Sequence, residues 1–356
     1  SPTVAISSLA LDLRAAGRDV IGLATGEPDF PTPPHVCDAA MRAIRDGHTR
    51  YTQVDGIPEL KAAIVRKFAR ENGITFTPEN ISVGTGGKQV LFNALMATVQ
   101  EGDEVVIPAP YWVSFAGIVE VAGGTPVFVT SGFADGLKMT ADSLAAAITP
   151  RTRWVIINSP SNPTGMGYSA TEMRALADVI RPHEQVMVIS DDLYEHLTYD
   201  GFAFHTLAAL APDMAGRILT LNGVSKSYCM TGWRIGFAAA PAPLVQAMAK
   251  LQSQSTSCPN SVAQNAAIAA LDGPTDFIAE NNAAFARRRG RVVAALNAME
   301  GVSCPAPDGA FYVFANISCL IGKKRPDGKL IETDSDFAAA LLELGDVAVV
   351  PGVAFG

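Results

Sequence analysis

Short apolar runs rich in Val and Ile alternate along the chain with longer stretches of helical periodicity. The apolar runs predict strands at 81–83, 104–107, 125–129, 154–158, 186–190 and 218–222. Intervening segments such as 88–99, 170–180 and 244–252 predict helices. This alternation is typical of an α/β fold whose mostly parallel sheet is flanked by helices.

The pattern changes near residue 276. A long helix is predicted at 276–298, followed by a strand at 310–314, a polar loop at 322–329, a helix at 334–344 and a strand at 347–350. We interpret this region as a smaller α+β domain that residues 1–29 are expected to join. The predicted division is therefore a large domain at 30–275 and a small domain at 1–29 and 276–356.

Polar residues stand at the ends of three predicted strands, namely Asn158, Asp191 and Asn222. In open α/β sheets, ligands bind beyond the carboxyl ends of the strands. We therefore expect these three side chains at one edge of a binding site.

Composition excludes several classes of function. The chain has 356 residues, is 48% apolar and carries a net charge of −8, without a basic block long enough to favour nucleic-acid binding. No apolar run approaches the ~20 residues of a membrane span. Five cysteines without a CxxC pair predict reduced thiols in a cytoplasmic protein. Motifs with metal-ligand spacing are lacking, so no metal site is predicted.

Lys226 is the residue with the most informative neighbours, in the run from Ser225 to Arg234. A desolvated lysine loses its proton more easily and becomes a nucleophile that can form a Schiff base. The guanidinium of Arg234 can bind a phosphate through two N–H groups. An aldehyde together with a phosphate describes pyridoxal 5′-phosphate.

A glycine-rich segment follows the first of the predicted strands and opens a helix, with Gly86, Gly87 and Lys88 at the junction. Small residues and a helix N-terminus suit a phosphate. The segment is neither a dinucleotide fingerprint nor a P-loop, because the final glycine of the first and the Ser or Thr of the second are absent. A tight strand–helix turn explains it equally well.

Three further residues each have a structural and a functional interpretation. Asn162 lies in a proline-rich segment that is either a rigid turn or a source of an amide donor. Asp191 is either a helix N-cap or the partner of a ring nitrogen. Trp112 is either a core residue or a ring that stacks on a flat cofactor.

Taken in order along the chain, these residues resemble the class I aminotransferases of fold type I, which depend on pyridoxal phosphate. The resemblance covers essentially the whole chain and looks closest to the bacterial aspartate/prephenate type. It is carried by Asn162, Asp191, Tyr194, Lys226, Arg234, the segments 22–30 and 51–53, and Pro351-Gly352. It implies that the large domain binds the cofactor.

The resemblance also implies a role for each residue around the cofactor ring. Lys226 forms the internal aldimine and moves the proton between the substrate α-carbon and the cofactor. Asp191 pairs with the pyridine nitrogen, while Tyr194 and Asn162 hydrogen-bond the phenolic oxygen. Trp112 covers one ring face, and together with Asn162 it is also expected to contact the substrate.

Around the phosphate, the resemblance places Gly86, Gly87, Lys88, Ser225 and Arg234. Lys88 alternatively faces the distal carboxylate of the substrate. The backbone of Gly26 contacts the substrate carboxylate, and Tyr51 reaches the phosphate of the neighbouring subunit. This arrangement implies a homodimer with shared active sites.

The implied reaction moves the amino group of L-aspartate to 2-oxoglutarate by a ping-pong mechanism. The alternatives are an aminotransferase for prephenate or aromatic acids, a pyridoxal-dependent β-lyase, and a non-catalytic ligand-sensing domain with the same fold.

One feature departs from the family pattern. In this family, an arginine beyond the PGxxFG stretch grips the substrate α-carboxylate, and the present sequence ends at Gly356. We therefore expect the chain to bind the cofactor but to transaminate poorly. We also expect the strand at 347–350 to lack its partner strand.

Overall fold

The computed structural model describes residues 2–356. Within this range the strands are β1 (Ile21–Gly22), β2 (Ile81–Gly84), β3 (Glu104–Ala109), β4 (Thr125–Thr130), β5 (Thr152–Asn158), β6 (Met187–Asp191), β7 (Ile218–Gly223), β8 (Gly236–Ala239) and β9 (Val347–Ala348).

The α-helices of the same range are α1 (Pro2–Ala15), α2 (Pro34–Arg45), α3 (Pro58–Lys67), α4 (Gly87–Thr98), α5 (Ser114–Val121), α6 (Ala141–Ala147), α7 (Ala170–Ile180), α8 (Leu207–Leu210), α9 (Ala242–Ser255), α10 (Ser261–Asp272), α11 (Asp276–Asn297) and α12 (Asp334–Gly345). A π-helical turn, Phe68–Asn72, continues α3.

A seven-stranded sheet with the order β2-β8-β7-β6-β5-β3-β4 forms the centre of the fold. Its strands are parallel except β8, which runs antiparallel to both β2 and β7. The mostly parallel sheet and its six predicted strands are confirmed. The prediction missed β8 because its run of glycine, phenylalanine and alanine lacks the β-branched residues that mark strands.

Both faces of this sheet are covered by helices, so its central strands are almost fully buried. Along β5, Ile156 packs on the side of α4 and α5, whereas Val155 and Ile157 pack on the side of α6 and α7. A third apolar cluster joins α2, α3 and α10 to β2 and β8. The strand ends are thereby held in a fixed relation to one another.

The smaller sheet pairs β1 with β9 in parallel, with Ile21 opposite Val347. The expectation that the strand after residue 346 lacks a partner is therefore wrong, because a segment more than 300 residues earlier in the chain supplies one. Arg18 supports this pairing, since its Nε donates to Oδ1 of Asp346 at 2.8 Å. The division into domains at residues 30 and 275 stays a prediction.

The segment predicted as a strand at 310–314 is irregular instead. Ala310 has φ +58°, a left-handed conformation that interrupts an extended chain. Its N–H donates to the carbonyl of Leu197 at 2.8 Å, so this turn is held against the large sheet's loops. The run at 310–314 is rich in aromatic residues, which favour strands, but it presents Phe311 and Tyr312 to a cleft instead.

Candidate active site

A cleft of about 990 Å³ lies beyond the carboxyl ends of β5, β6 and β7. Most of the residues predicted from the sequence line it together, namely Gly26, Gly87, Lys88, Trp112, Asn162, Asp191, Tyr194, Ser225, Lys226 and Arg234. Gly86 is buried directly behind the lining. Tyr51 does not line the cleft of its own chain, and its side chain is 91% exposed.

The amine of Lys226 lies inside this cleft. Its Nζ donates to the carbonyl oxygen of Gly26 at 2.6 Å and stands 5.8 Å from the ring centre of Phe311. Burial lowers the pKa of Lys226 to about 8, and the charge of Arg234 contributes, although Glu27 and Asp191 oppose the shift. Near neutral pH, a fraction of this amine is therefore neutral and nucleophilic.

Asp191 ends β6 beside Asn158, the last residue of β5. The amide of Asn158 donates to the backbone carbonyl of Asp191 at 3.1 Å, and the N–H of Leu193 donates to Oδ1 at 3.3 Å. Burial raises the pKa of Asp191 to about 7. Turns and not a helix follow Asp191, so the N-cap interpretation is wrong. A cationic ring nitrogen in the cleft would stabilise the ionised carboxylate.

Asn162 and Tyr194 converge on a residue that the sequence did not indicate, Tyr312. The hydroxyl groups of Tyr194 and Tyr312 are 2.6 Å apart, and the amide of Asn162 donates to the hydroxyl of Tyr312 at 3.3 Å. Asn162 is itself fixed, because its N–H donates to Oδ1 of Asn158 at 2.7 Å. These three groups form a polar edge where an oxygen of a ligand can be bound.

A set of donors suited to an anion lies at the other end of the cleft. α4 begins at Gly87, which lines the cleft together with Lys88, and the N–H groups at the start of a helix favour an anion. Gly86 has φ +83°, and a Cβ at this position would lie 2.3 Å from Nη2 of Arg234. The chain therefore needs glycine here so that the guanidinium can lie against the start of α4. The hydroxyl-bearing Ser225 completes this end.

Lys88 and Trp112 form the adjoining wall. The Nζ of Lys88 is 4.9 Å from the ring centre of Trp112, within the range of a cation–π contact. Burial lowers the pKa of Lys88, and the charge of Arg234 adds to this effect. Trp112 also packs edge-on against Phe115 of the core, and its stacking on a cofactor ring stays a prediction.

Two arginines of α11, Arg288 and Arg289, line the cleft. Arg288 pairs with Asp29 through two hydrogen bonds of 2.7 and 3.1 Å, and Arg289 pairs with Asp200. The sequence alone did not indicate these arginines, because ion pairs with residues so distant in the chain leave no local signal.

The donor set fits pyridoxal 5′-phosphate. The amine of Lys226 suits the aldehyde, the carboxyl group of Asp191 suits the ring nitrogen, and the cradle at Gly86 and Arg234 suits the phosphate. The residues that could coordinate a metal within the described part of the chain are Glu71, Glu195 and His196. The ammonium group of Lys67 already binds the carboxylate of Glu195. We therefore do not assign a metal site to these three residues.

Comparison with known proteins agrees with this geometry. Residues 18–356 match the family described as aminotransferase class I and II. An aspartate/prephenate aminotransferase of Cereibacter sphaeroides is 58% identical over all of this chain and 89% of its own length. An aspartate aminotransferase of Rhizobium meliloti is 53% identical over all of this chain and 87% of its own length.

Solved structures give the same result. The crystal structure of the aspartate aminotransferase from Rhizobium meliloti superposes with a TM-score of 0.96 at 53% identity, covering 99% of this chain and 88% of that one. The aspartate aminotransferase from Thermus thermophilus with maleate superposes with a TM-score of 0.92 at 41% identity, covering 100% and 89%. The resemblance read from the motifs and the fold-type I architecture are confirmed, and the chain belongs to the class I and II aminotransferase family.

Proposed function

We propose that this aminotransferase moves the amino group of L-aspartate to 2-oxoglutarate with pyridoxal 5′-phosphate held at Lys226. The observation that carries the proposal is the convergence of three groups in one cleft: the amine of Lys226, the buried carboxyl group of Asp191 and the anion cradle at Arg234. Relatives named aspartate aminotransferase at 53% identity support the choice of aspartate.

The cofactor supplies an electron sink for the bonds at the substrate α-carbon, and the protein supplies position and charge. The carboxyl group of Asp191, which is buried, would pair with the ring nitrogen of the bound cofactor and favour a positive charge there. Asn162 and Tyr194, which line the cleft, would hold the ring by its phenolic oxygen, and Trp112 would cover one face.

Lys226 is the residue that moves protons. With its pKa lowered to about 8, its Nζ can take a proton from the α-carbon of the amino acid and return one during the reverse transfer. Because donor and acceptor use the same cleft in turn, we expect ping-pong kinetics. The Nζ of Lys226 donates to the carbonyl of Gly26 at 2.6 Å, so the amine has a fixed position in the cleft.

A second acceptor, prephenate, is favoured by a specific comparison. The 58% identical relative from Cereibacter sphaeroides is named an aspartate/prephenate aminotransferase. We propose that the cleft accepts prephenate in addition to 2-oxoglutarate. Product analysis with aspartate, prephenate and cystathionine separates these reactions from a β-lyase. A β-lyase would split cystathionine into homocysteine, pyruvate and ammonia without a keto-acid acceptor, whereas transamination consumes an acceptor and releases no ammonia.

We further propose a homodimer in which Tyr51 completes the site of the partner. Its 91% exposure and its position outside the cleft of its own chain support this role. Apolar side chains of α2, Met41 and Ile44, are exposed on the same chain and suit burial against a second copy.

A cytoplasmic location completes the proposal. It is supported by five cysteines, all of which are unpaired. Among the described residues, no helix has both the length and the apolar character needed to cross a membrane.

The test of the function combines spectroscopy with covalent capture. We expect the purified chain to give a visible absorbance band with pyridoxal 5′-phosphate, and borohydride to fix the cofactor on the peptide that contains Lys226. Lys226→Ala should abolish both signals. Lys88→Ala is the matched control, because it removes the other lysine of the cleft and should keep the label on Lys226. A label elsewhere, or no band, would refute the proposal.

A further inference from the structure

A buried polar cluster lies behind the cleft and consists of Lys67, Asn72, Glu195 and Asn222. The side chains of Lys67, Glu195 and Asn222 are almost entirely excluded from solvent, and none of the four lines the cleft. Burying a charged pair costs free energy that a well-packed apolar group would not. The cluster therefore costs folding free energy. We look for its role in the segments of the chain that it joins.

The carboxylate of Glu195 is the centre of the cluster. Its Oε1 accepts hydrogen bonds from Nζ of Lys67 and, at 2.7 Å, from Nδ2 of Asn222. Its Oε2 accepts a hydrogen bond from Nδ2 of Asn72, also at 2.7 Å. Lys67 donates in addition to Oδ1 of Asn72 at 2.8 Å, so the network closes on itself.

The charge of Glu195 is kept by its surroundings. Burial alone would raise the pKa of Glu195, but the charges of Lys67 and His196 and the donor of Asn72 hold it below its usual value. Other titratable groups near this carboxylate are Glu71, which lies 3.6 Å from Nζ of Lys67, and Asp192. An ionised carboxylate with three donors is rigid, since any movement breaks a charge-assisted hydrogen bond.

The three donors come from separate elements of the fold. Lys67 ends α3 and Asn72 ends the π-helical turn, where a five-residue spacing brings both side chains together. Asn222 belongs to β7 and stands four residues before Lys226. Glu195 itself follows Tyr194 directly, in the turn that begins after Asp191.

We propose that Glu195 is a positioning residue that fixes the segment of Asp191 and Tyr194 against the segment of Lys226. The link to Asn222 is the decisive contact, because β7 leads straight into the loop that carries the lysine. Asn222 also accepts a hydrogen bond from the N–H of Gly223 at 2.7 Å, which sets the direction of the chain as it enters that loop. This inference rests on the proposed function.

The test uses two matched asparagine variants. Asn222→Ala and Asn72→Ala each remove one amide donor at 2.7 Å from the same carboxylate, but only Asn222 lies on β7, the strand that leads into the loop of Lys226. For Asn222→Ala we expect kcat to fall about tenfold with a much smaller change in KM. The pH midpoint of the visible band of the cofactor-loaded protein should shift by roughly half a unit.

Asn72→Ala should leave the midpoint of the visible band and kcat within about twofold of the original protein, even where it lowers the melting temperature as much as Asn222→Ala does. Equal effects of the two variants would overturn the proposal, since a purely structural cluster would respond to the loss of either donor.

Glu195→Gln provides the second arm. Its amide NH₂ cannot accept from the surrounding donors, so the link to Asn222 or to Asn72 is lost. If Asn222 acts through Glu195, the double variant should be no worse in kcat than Glu195→Gln alone. Additive losses would assign the effect to the contact with Gly223 instead and refute the proposal.

If Glu195→Gln fails to fold, the comparison of Asn222→Ala with Asn72→Ala still tests the proposal. A failure of the proposed function is distinguishable from these outcomes, because the unsubstituted protein would then show no visible band with the cofactor.

Discussion

The amine of Lys226 is held where its charge is opposed by burial and by Arg234 and favoured by Glu27 and Asp191. Because only the neutral amine attacks an aldehyde, we predict that the rate of covalent capture of pyridoxal 5′-phosphate rises with pH and levels off above about 8. Stopped-flow absorbance between pH 6 and about 10 measures this midpoint.

Glu27→Gln provides the control for that midpoint. The carboxylate of Glu27 favours the protonated amine, so its removal should move the midpoint to lower pH and speed capture at neutral pH. A midpoint near that of an ordinary lysine, or one unmoved by the substitution, would contradict the assignment.

Asp191 makes a second residue-scale prediction for the cofactor-free protein. Its folded-state pKa of about 7 lies above the ordinary value of 3.8, so between these values the folded state binds more protons than the unfolded state. Its contribution to the free energy of unfolding is therefore fully present below about pH 4 and is lost as the pH rises through 7.

Asp191→Asn should remove this loss, which amounts to a few kcal/mol at most. Urea unfolding of the cofactor-free protein at pH 4, about 5.5 and 7 compares the two slopes. Parallel slopes for the variant and the original protein would show that Asp191 ionises normally.

At this scale the sequence revealed the residues that belong to compact local motifs. Lys226 and Arg234 share one run, and Asp191 and Tyr194 share another, so their order and spacing could be recognised. Tyr312 could not be found in this way, because its role depends on a hydroxyl group 118 residues away in Tyr194. Nor did any local pattern indicate that Lys67 pairs with Glu195.

At the scale of elements, the close approach of β8 to α4 gives a further prediction. A Cβ at Gly236 would lie 2.1 Å from the backbone nitrogen of Gly87, so Gly236→Ala must push the strand away from the helix N-terminus. We expect a loss of about 3 kcal/mol in the free energy of unfolding and at least tenfold weaker binding of pyridoxal 5′-phosphate.

Gly232→Ala is the matched control. A Cβ at Gly232 meets no atom within 4 Å, and this residue lies in the loop that leads from β7 to β8. Thermal unfolding and a cofactor titration compare the two variants. Equal affinity for the cofactor would show that the spacing between β8 and α4 is not critical for the phosphate.

The elements differ in how well their sequence predicted them. α7 was predicted at its observed bounds because Ser169 and Glu172 form a capping box in front of an amphipathic run. The run at 310–314 is rich in aromatic residues that favour a strand, but Ala310 has a left-handed conformation, which local propensity opposes. β8 lies between two strands that supply its stability from outside its own sequence.

At the scale of the whole molecule, the proposed dimer predicts complementation between two inactive variants. A Lys226→Ala chain still offers Tyr51, and a Tyr51→Ala chain still offers Lys226. Refolding an equal mixture should give hybrid dimers with one intact site, and hence about a quarter of the original activity if association is random.

Each variant alone sets the baseline for this measurement, and the mixture should exceed the sum of the two. Activity that stays at the baseline, while sedimentation confirms dimers, would exclude a contribution of Tyr51 to the site of the partner.

The antiparallel placement of β8 beside β7 has a consequence for how this protein can change in evolution or by design. The chain leaves the sheet after Gly223 and returns at Gly236, and this single connection carries both Lys226 and Arg234. An insertion or deletion of one residue between Lys226 and Arg234 would change the distance between these two side chains, while both strands stay in register. We therefore expect this stretch to tolerate changes of side chain far better than changes of length, and to be exchangeable between related enzymes only as an intact unit.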